Sequence, residues 1–340
     1  MTFRPQSTRT LHPAYHILHY TFDLRVFSLL LQRRSMNTNR VERSFGKPSR
    51  WTMLVRMRFQ SFQIDAFTDA LFSGNPAVVV VIGGDASRDQ NADIDWPEDE
   101  WLQSVAIENN VSETAYIRRA RAEAEHDYDL RWFTPATEVN LCGHATLSAA
   151  HVLFSHLDHK GARVTFQTRS GELTVTRRDN GYEMDFPAKK PERVEISQDM
   201  RDAIGLPILD GCRSTRDLLL VVDSEASVRQ LEPDIHAIAA LDVEAVIVTS
   251  LADAPGVDFV SRFFAPRMGV PEDPVTGSAH CLLGPYWHSK MSKTRLSARQ
   301  VGARGGAVGV TIEPDRGRVL LFGEAVTYLV GEIFSPCQRK

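Results

Sequence analysis

The sequence is poor in the features that announce a cofactor or a membrane. No G-x-G-x-x-G follows a strand pattern and no G-x-x-x-x-G-K-[ST] occurs, so nucleotide cofactors lose their usual sequence support. The four cysteines, Cys142, Cys212, Cys281 and Cys337, make no C-x-x-C pair and no zinc spacing with histidine, which leaves free thiols in a reducing compartment as the expectation. His151 and His156 are five apart and are not expected to share a helix face, and Asp158 and His159 fall at the helix exit, so no metal site is expected. A formal charge of only −4 speaks against a non-specific nucleic-acid binder. No apolar run reaches bilayer length, and Val26 to Leu31 is short and flanked by Arg25 and Arg33. What is present, 43% apolar and 24% charged over 340 residues, is globular material sufficient for two domains and an extension.

The charge is unevenly placed. Met1 to Arg58 holds eleven Lys/Arg against two acids, leaving 28 basic and 41 acidic residues for the rest. Residues 1–57 are therefore set apart as a basic extension, whose Arg-rich, acid-poor composition is that of an organelle transit peptide and equally that of an unrelated extension. A cytoplasmic location is expected for the body, and Met36, Met53 and Met57 are alternative starts.

The folded body begins with alternation from Phe62 to Ala66, a Ser73-Gly74-Asn75-Pro76 turn and the β-branched run Ala77 to Ile82, which together predict a hairpin. Pro97 to Glu108 has the proline and acids of a helix N-terminus and is expected to stop at Asn109-Asn110. Glu113 falls among the first residues of the next strand, Val111 to Ile117, and Asp127 to Phe133 forms another. A meander of three strands between Arg163 and Phe186 leads to Pro187–Pro191, a predicted linker. The second half offers strands at Leu218 to Val222, Ala245 to Thr249 and Val257 to Phe264, a central helix from Gly277, and a closing meander. Strand runs with one central helix per half argue for an α+β fold, with domains at 58–187 and 192–333.

One stretch occurs twice. Arg131-Trp-Phe-Thr-Pro135 leads through Glu138 to Gly143-His144-Ala145, and Arg262-Phe-Phe-Ala-Pro266 leads through Glu272 to Gly277-Ser278-Ala279. Each copy keeps its acid five residues before the glycine, and the second inserts three residues between proline and acid. Both end on Gly-X-Ala at a helix start, where the first N–H groups lack intrahelical partners at the positive end of the dipole. Two such ends facing each other would cradle the carboxylate of a small molecule, the glycines letting backbone donors approach it. Around them stand His144, Asp273 and Ser278, with Cys142 and Thr276 just before the glycines and Glu113 at a junction where a carboxylate can be partly taken out of water. That outlines a proton shuttle, although Asp273 and Ser278 also suit helix capping.

These motifs carry a resemblance. Asp65-Ala-Phe67 with Gly74-Asn75-Pro76, Asn110-Val-Ser-Glu-Thr114, Phe133-Thr-Pro135 with Glu138, Cys142-Gly-His-Ala-Thr146, Phe264-Ala-Pro266 with Glu272 to Ala279, and Arg304-Gly-Gly306 resemble, in order, the phenazine biosynthesis-like (PhzF-type) isomerase family. The resemblance implies two pseudo-symmetric domains, each a curved, mainly antiparallel sheet wrapped around a central helix in the diaminopimelate epimerase-like manner, with the active site in the cleft, a homodimer and no cofactor. It places the proton-shuttling glutamate on Glu113 and its supporting residues on His144, Asp273 and Ser278, with Asn75, Gly143, Gly277 and Ser278 on the substrate. Related racemases carry two thiols before the glycines. Here Thr276 stands opposite Cys142, which argues against a two-thiol mechanism. The expected activity is a cofactor-independent isomerase acting on a small carboxylic acid. The alternatives are an epimerase or dehydratase using Cys142, and an interaction protein that keeps the fold without the chemistry.

Overall fold

The computed structural model describes residues 57–83 and 95–335; the basic extension before Met57, with its apolar run and the starts at Met36 and Met53, lies outside the described residues, as does Cys337. The first half runs β1 (Arg58–Ala66), β2 (Asn75–Ile82), α1 (Asp99–Asn109), β3 (Glu113–Arg119), β4 (Tyr128–Phe133), β5 (Glu138–Val139), α2 (Gly143–Ser155), β6 (Arg163–Thr168), β7 (Gly171–Arg177) and β8 (Tyr182–Pro187). After β9 (Glu192–Arg193), α3 (Gln198–Ile204) and β10 (Asp210–Arg213), the second half follows. It comprises β11 (Asp217–Val221), α4 (Glu225–Gln230), α5 (Ile235–Ala240), β12 (Ala245–Leu251), β13 (Phe259–Ala265), β14 (Val270–Asp273), α6 (Gly277–Met291), β15 (Arg295–Gln300), β16 (Gly306–Glu313), β17 (Arg318–Gly323) and β18 (Ala325–Phe334). Mixed sheet with few helices makes the fold α+β.

The duplication extends beyond the motif to the order of strand pairing. β2 pairs parallel with β3, β3 antiparallel with β4, β4 antiparallel with β5 and parallel with β6, and β6 antiparallel with β7. β11, β12, β13, β14, β15 and β16 repeat that series of parallel and antiparallel partners. The halves then share strands, β1 pairing with β18 and β8 with β17. A parallel pair needs a crossover, which α1 supplies between β2 and β3, and α4 with α5 between β11 and β12.

β2 and β12 are covered on both faces, which explains why the Ala77 to Ile82 run does not alternate. Val79 and Val81 face the central core, while Val78, Val80 and Ile82 pack in a second cluster with Leu102 and Val105 of α1. In the same way β12 sends Ile247 to the central core and Val246 and Val248 to a cluster under α3, α4 and α5. Helix α2 is buried from His144 through Phe154, the all-round burial of a helix enclosed by sheet.

The expectation of one central helix per half leaves out three short helices, α3 ahead of β10 and α4 and α5 between β11 and β12. Their lengths, seven, six and six residues, are too short to show a periodic apolar stripe. Their N-cap side chains were the available signal: Ser197 accepts from Met200 N, Ser224 from Ser227 N, and Asp234 from His236 N and Ala237 N. Pro187, expected in the linker, closes β8 opposite Arg318. The longer second motif turns at its proline through a short 3-10 turn, Pro266–Met268, closed by Gly269 in the left-handed region.

Candidate active site

The repeated motif builds two equivalent struts. Arg131 grips Glu138 with Nε at 2.8 Å and Nη2 at 2.7 Å, and Arg262 grips Glu272 with both distances at 2.7 Å. These bidentate pairs tie β4 to β5 and β13 to β14, the strands that deliver the chain to α2 and α6. The two helix starts then meet: a Cβ built on Gly143 would stand 3.6 Å from Gly277 Cα, ordinary van der Waals contact. The expected facing of helix ends is therefore observed, with Cys142 and Thr276 as the residues preceding the helices. Neither of these makes a side-chain cap, and the capping alternative for Ser278 does not hold, because Ser278 already lies inside α6.

A cleft of about 210 Å³ opens at this meeting point, and Glu113, Gly143, His144, Asp273, Gly277 and Ser278 all line it. Asn75 does not. It is fully buried behind the cleft, at the start of β2, and touches the site only through its partners. Its Nδ2 stands 2.8 Å from Asp273 Oδ1, 2.9 Å from the Val275 carbonyl and 3.1 Å from His144 Nδ1, while its Oδ1 accepts from Ser112 Oγ at 3.1 Å. The reverse amide orientation would set oxygen against oxygen at Asp273 and Val275, so the network assigns the amide. The turn that positions Asn75 requires glycine before it, since Gly74 has φ +67° and a Cβ there would come 2.2 Å from the Ala66 carbonyl. Arg304 secures the same turn, with Nη2 at 2.7 Å from Asp65 and Nε at 3.0 Å from the Gly74 carbonyl.

His144 Nε2 lies 3.0 Å from Glu113 Oε2, yet that oxygen is buried and accepts no directed hydrogen bond. The Glu113 side chain itself is 17% exposed at the wall of the cleft, where its carboxylate can meet a substrate proton. On the other side of the ring, Cys142 Sγ stands 3.5 Å from Nδ1. Burial works against a charged His144, but the Cys142 sulfur and the Glu113 carboxylate outweigh it and hold the imidazole well above its ordinary range. Burial, then the Glu113 charge, pushes the Cys142 thiol up to about 11, so it stands protonated at neutral pH. Asp273 is pushed up to about 6 by burial; the positive His144 opposes this and Glu113 adds to it, while hydrogen bonds from Thr276 and Asn75 restrain it.

Glu113, Cys142 and His144 each offer one donor atom within 4.8 Å of the others, near enough to share a cation. The surroundings suit proton transfer better. His144 is held toward its protonated form, and an imidazolium has no free ring lone pair to give a cation.

The residue that sequence reasoning missed is Gln300, buried on β15. Its Oε1 accepts Thr276 N–H at 2.9 Å, and its Nε2 donates to the Asp273 carbonyl. It fixes the segment from which Asp273 reaches the cleft, and no local motif marks it. The expected separation of His151 and His156 also fails. His156 caps α2 outside the regular helix, so both rings reach Thr327 Oγ1 at 2.8 Å.

Comparison with known proteins identifies the family and the fold. A family model described as phenazine biosynthesis-like protein matches residues 64–331. An uncharacterized isomerase of Pseudomonas aeruginosa is 47% identical over 277 residues, covering 82% of this chain and 99% of that protein. Another, from Halalkalibacterium halodurans, is 43% identical over 275 residues, covering 80% and 97%. A PhzF-family crystal structure from Enterococcus faecalis superposes with a TM-score of 0.74 at 40% identity, covering 82% of this chain and 99% of that one. A hydroxyproline epimerase from Agrobacterium vitis, with a TM-score of 0.52 at 11% identity and 82% and 92% coverage, shares the diaminopimelate epimerase-like fold alone. The match over residues 64–331, together with relatives alike along nearly their whole lengths, shows that this chain belongs to the phenazine biosynthesis-like protein family.

Proposed function

We infer that this member of an isomerase family moves a proton within a small carboxylic acid, with Glu113 as the group that removes and returns it. The observation that carries the reading is the Glu113 carboxylate, which lines the cleft with its Oε2 buried 3.0 Å from Nε2 of an imidazole held toward its charged form. The substrate carboxylate lies against the N-terminal N–H groups of α2 and α6, which Gly143 and Gly277 leave open, and Ser278 adds a hydroxyl. Glu113 takes a proton from the carbon conjugated to that carboxylate. The negative charge that develops spreads onto oxygens already facing helix-end donors, which bind it more strongly as it grows. Glu113, whose held proton can exchange with solvent, then delivers a proton to another carbon, with His144 and Asp273 holding the polar groups in place. No cofactor takes part in these steps. Asn75, given its burial, positions His144 and Asp273 and does not touch substrate.

The Cys142 alternative has less support. A thiol pushed up to about 11 is a weak supply of thiolate, and the Thr276 hydroxyl opposite it already donates to Asp273. The test is exchange of carbon-bound protons in deuterated solvent, followed by NMR over a panel of amino-aryl and amino-aliphatic carboxylates. Glu113→Gln should lower exchange by about 10² to 10⁴ while leaving the fold intact, and Cys142→Ser should retain it. Undiminished exchange in Glu113→Gln would remove Glu113 from the role.

A further inference from the structure

Two histidines that helical spacing keeps apart meet on one hydroxyl. In a continuous helix His151 and His156 would point to sides about 140° from each other. The helix does not continue: His156, the C-cap of α2, has φ −120° and ψ −28°, and its ring stands edge-on to that of His151. Strand β18 departs from regular pairing at the same place. It meets β1 as Leu329 to Gln63 and then Thr327 to Ile64, so Tyr328 is an extra residue, a bulge that bends the strand beside Thr327. Two local departures from regular structure thus bring three side chains to one point. His151 Nε2 and His156 Nε2 each lie 2.8 Å from Thr327 Oγ1, and the ring centroids are 5.9 Å apart.

A hydroxyl has one proton, so Thr327 donates to only one of the two nitrogens, and the other must bring its own proton to the contact. A cation suits both at once. Imidazoles that share an ion about 2.0–2.1 Å from each nitrogen have ring centroids roughly 5–6 Å apart, the spacing of this pair. The rings are also held from behind, as metal-ligating histidines require. His151 Nδ1 stands 3.0 Å from Tyr182 OH, which Ser155 Oγ approaches at 3.4 Å, and Phe62 packs on His156 with centroids 4.9 Å apart. Burial works against protonation of both rings, and the uncharged imidazole is the form that ligates. His156 is exposed, which gives an ion a path from solvent.

We propose that His151 and His156 form a binding site for a divalent transition-metal ion of the zinc, nickel or copper kind, water completing its coordination. Paired imidazole nitrogens select such ions over magnesium and calcium, which take oxygen ligands. His144 precedes His151 by seven residues, about 10 Å along the helix axis, so this ion is separate from Glu113 and the cleft. Its effect is structural, fixing the non-helical exit of α2 against β18.

Untagged protein, stripped with EDTA and exchanged into chelator-free buffer, is titrated calorimetrically with zinc chloride. One ion per chain is expected at this site. His151→Gln and His156→Gln should each weaken zinc binding by about 100-fold or more, and Tyr182→Phe, which removes the group behind His151, by about tenfold. Thr327→Ala should keep the binding, because both imidazoles remain. Cys142→Ser should keep it too, although it removes one donor of the Glu113, Cys142 and His144 cluster. Circular dichroism without metal establishes that each variant is folded, and if His151→Gln does not fold, His156→Gln at the exposed position decides. No zinc binding to the native protein at about 1 mM overturns the site, as does binding that a folded histidine variant retains in full. Loss of zinc from Thr327→Ala or from Cys142→Ser overturns the two-histidine assignment, the latter moving the ion to the cleft.

Discussion

Asn75 and Asp273 lie 198 residues apart in the chain and share a 2.8 Å hydrogen bond behind the cleft. The first half thereby supplies the donor that orients the second half's carboxylate, and the same amide faces His144. Asn75→Ala would leave Asp273 Oδ1 and the Val275 carbonyl short of a donor in a buried place. We expect a loss of roughly 2–4 kcal/mol in urea denaturation. Asn75→Asp should be worse, because it sets a second carboxylate against Asp273. If both variants unfold at the native midpoint, this network does not hold the halves together.

Asp273 has its carboxyl pushed up to about 6, against 3.8 for an unperturbed aspartate. The folded protein binds that proton more tightly than the unfolded chain, so the contribution is favourable at low pH and is lost as pH rises from about 4 through 6. The amount is at most about 3 kcal/mol, reduced by water in the cleft. Asp273→Asn removes the ionisation. It should be more stable than the native protein at pH 8, with the advantage shrinking toward pH 4, while proton exchange falls. Denaturation midpoints for both proteins at the two pH values decide it, and an advantage that does not depend on pH would contradict the assignment.

The sequence carried the fold where elements are long or repeated, and the site where motifs are local. The Arg131 to Glu138 and Arg262 to Glu272 spacings pointed to one unit used twice, and the two bidentate pairs are the physical reason for the repetition. Glu113, His144, Asp273 and Ser278 do share the cleft. Besides Gln300, which no local motif marks, three things were not legible. α4 and α5 are too short for periodicity to register. Asn75 belongs to a turn by composition, and only the packing of β2 against the second half shows that its amide is wholly enclosed. Pro285, inside α6, frees the Cys281 carbonyl, and nothing in sequence shows that the N–H it receives is that of Lys189, on another strand's exit.

His151 is buried against Tyr182 OH at 3.0 Å and Thr327 Oγ1 at 2.8 Å. Burial, and then the neighbouring His156, pushes it down to about 4. Its unfolded value is near 6.5, so the unfolded chain takes up the proton first. The stabilising contribution is complete above about 6.5 and is lost as pH falls toward 4, on the order of 3 kcal/mol. His151→Gln keeps hydrogen-bonding groups without the titration. Its stability should decline less steeply than that of the native protein between pH 6.5 and 4. Parallel curves for the two proteins would assign the acid loss to other groups, of which His280, also pushed down to about 4 by burial, is the first to try.

Gln300 joins Thr276 and Asp273 through one carboxamide, receiving the first residue's N–H and donating to the second's carbonyl. Gln300→Leu preserves bulk and leaves both backbone groups without their partner. We expect a folded protein in which the α6 start shifts and proton exchange drops by about 10- to 100-fold, since small misplacements at a reacting centre are costly. Gln300→Glu separates positioning from simple destabilisation. It can still accept from Thr276 N–H, but it brings a negative charge beside Asp273, and like charges favour the protonated carboxyl. Carbon-13 NMR of the Asp273 carboxyl should therefore show titration above the native value of about 6 in the glutamate variant. A structural residue remote from the site would leave that titration unmoved, so an unshifted Asp273 in a folded Gln300→Glu protein would remove Gln300 from the positioning of this carboxylate.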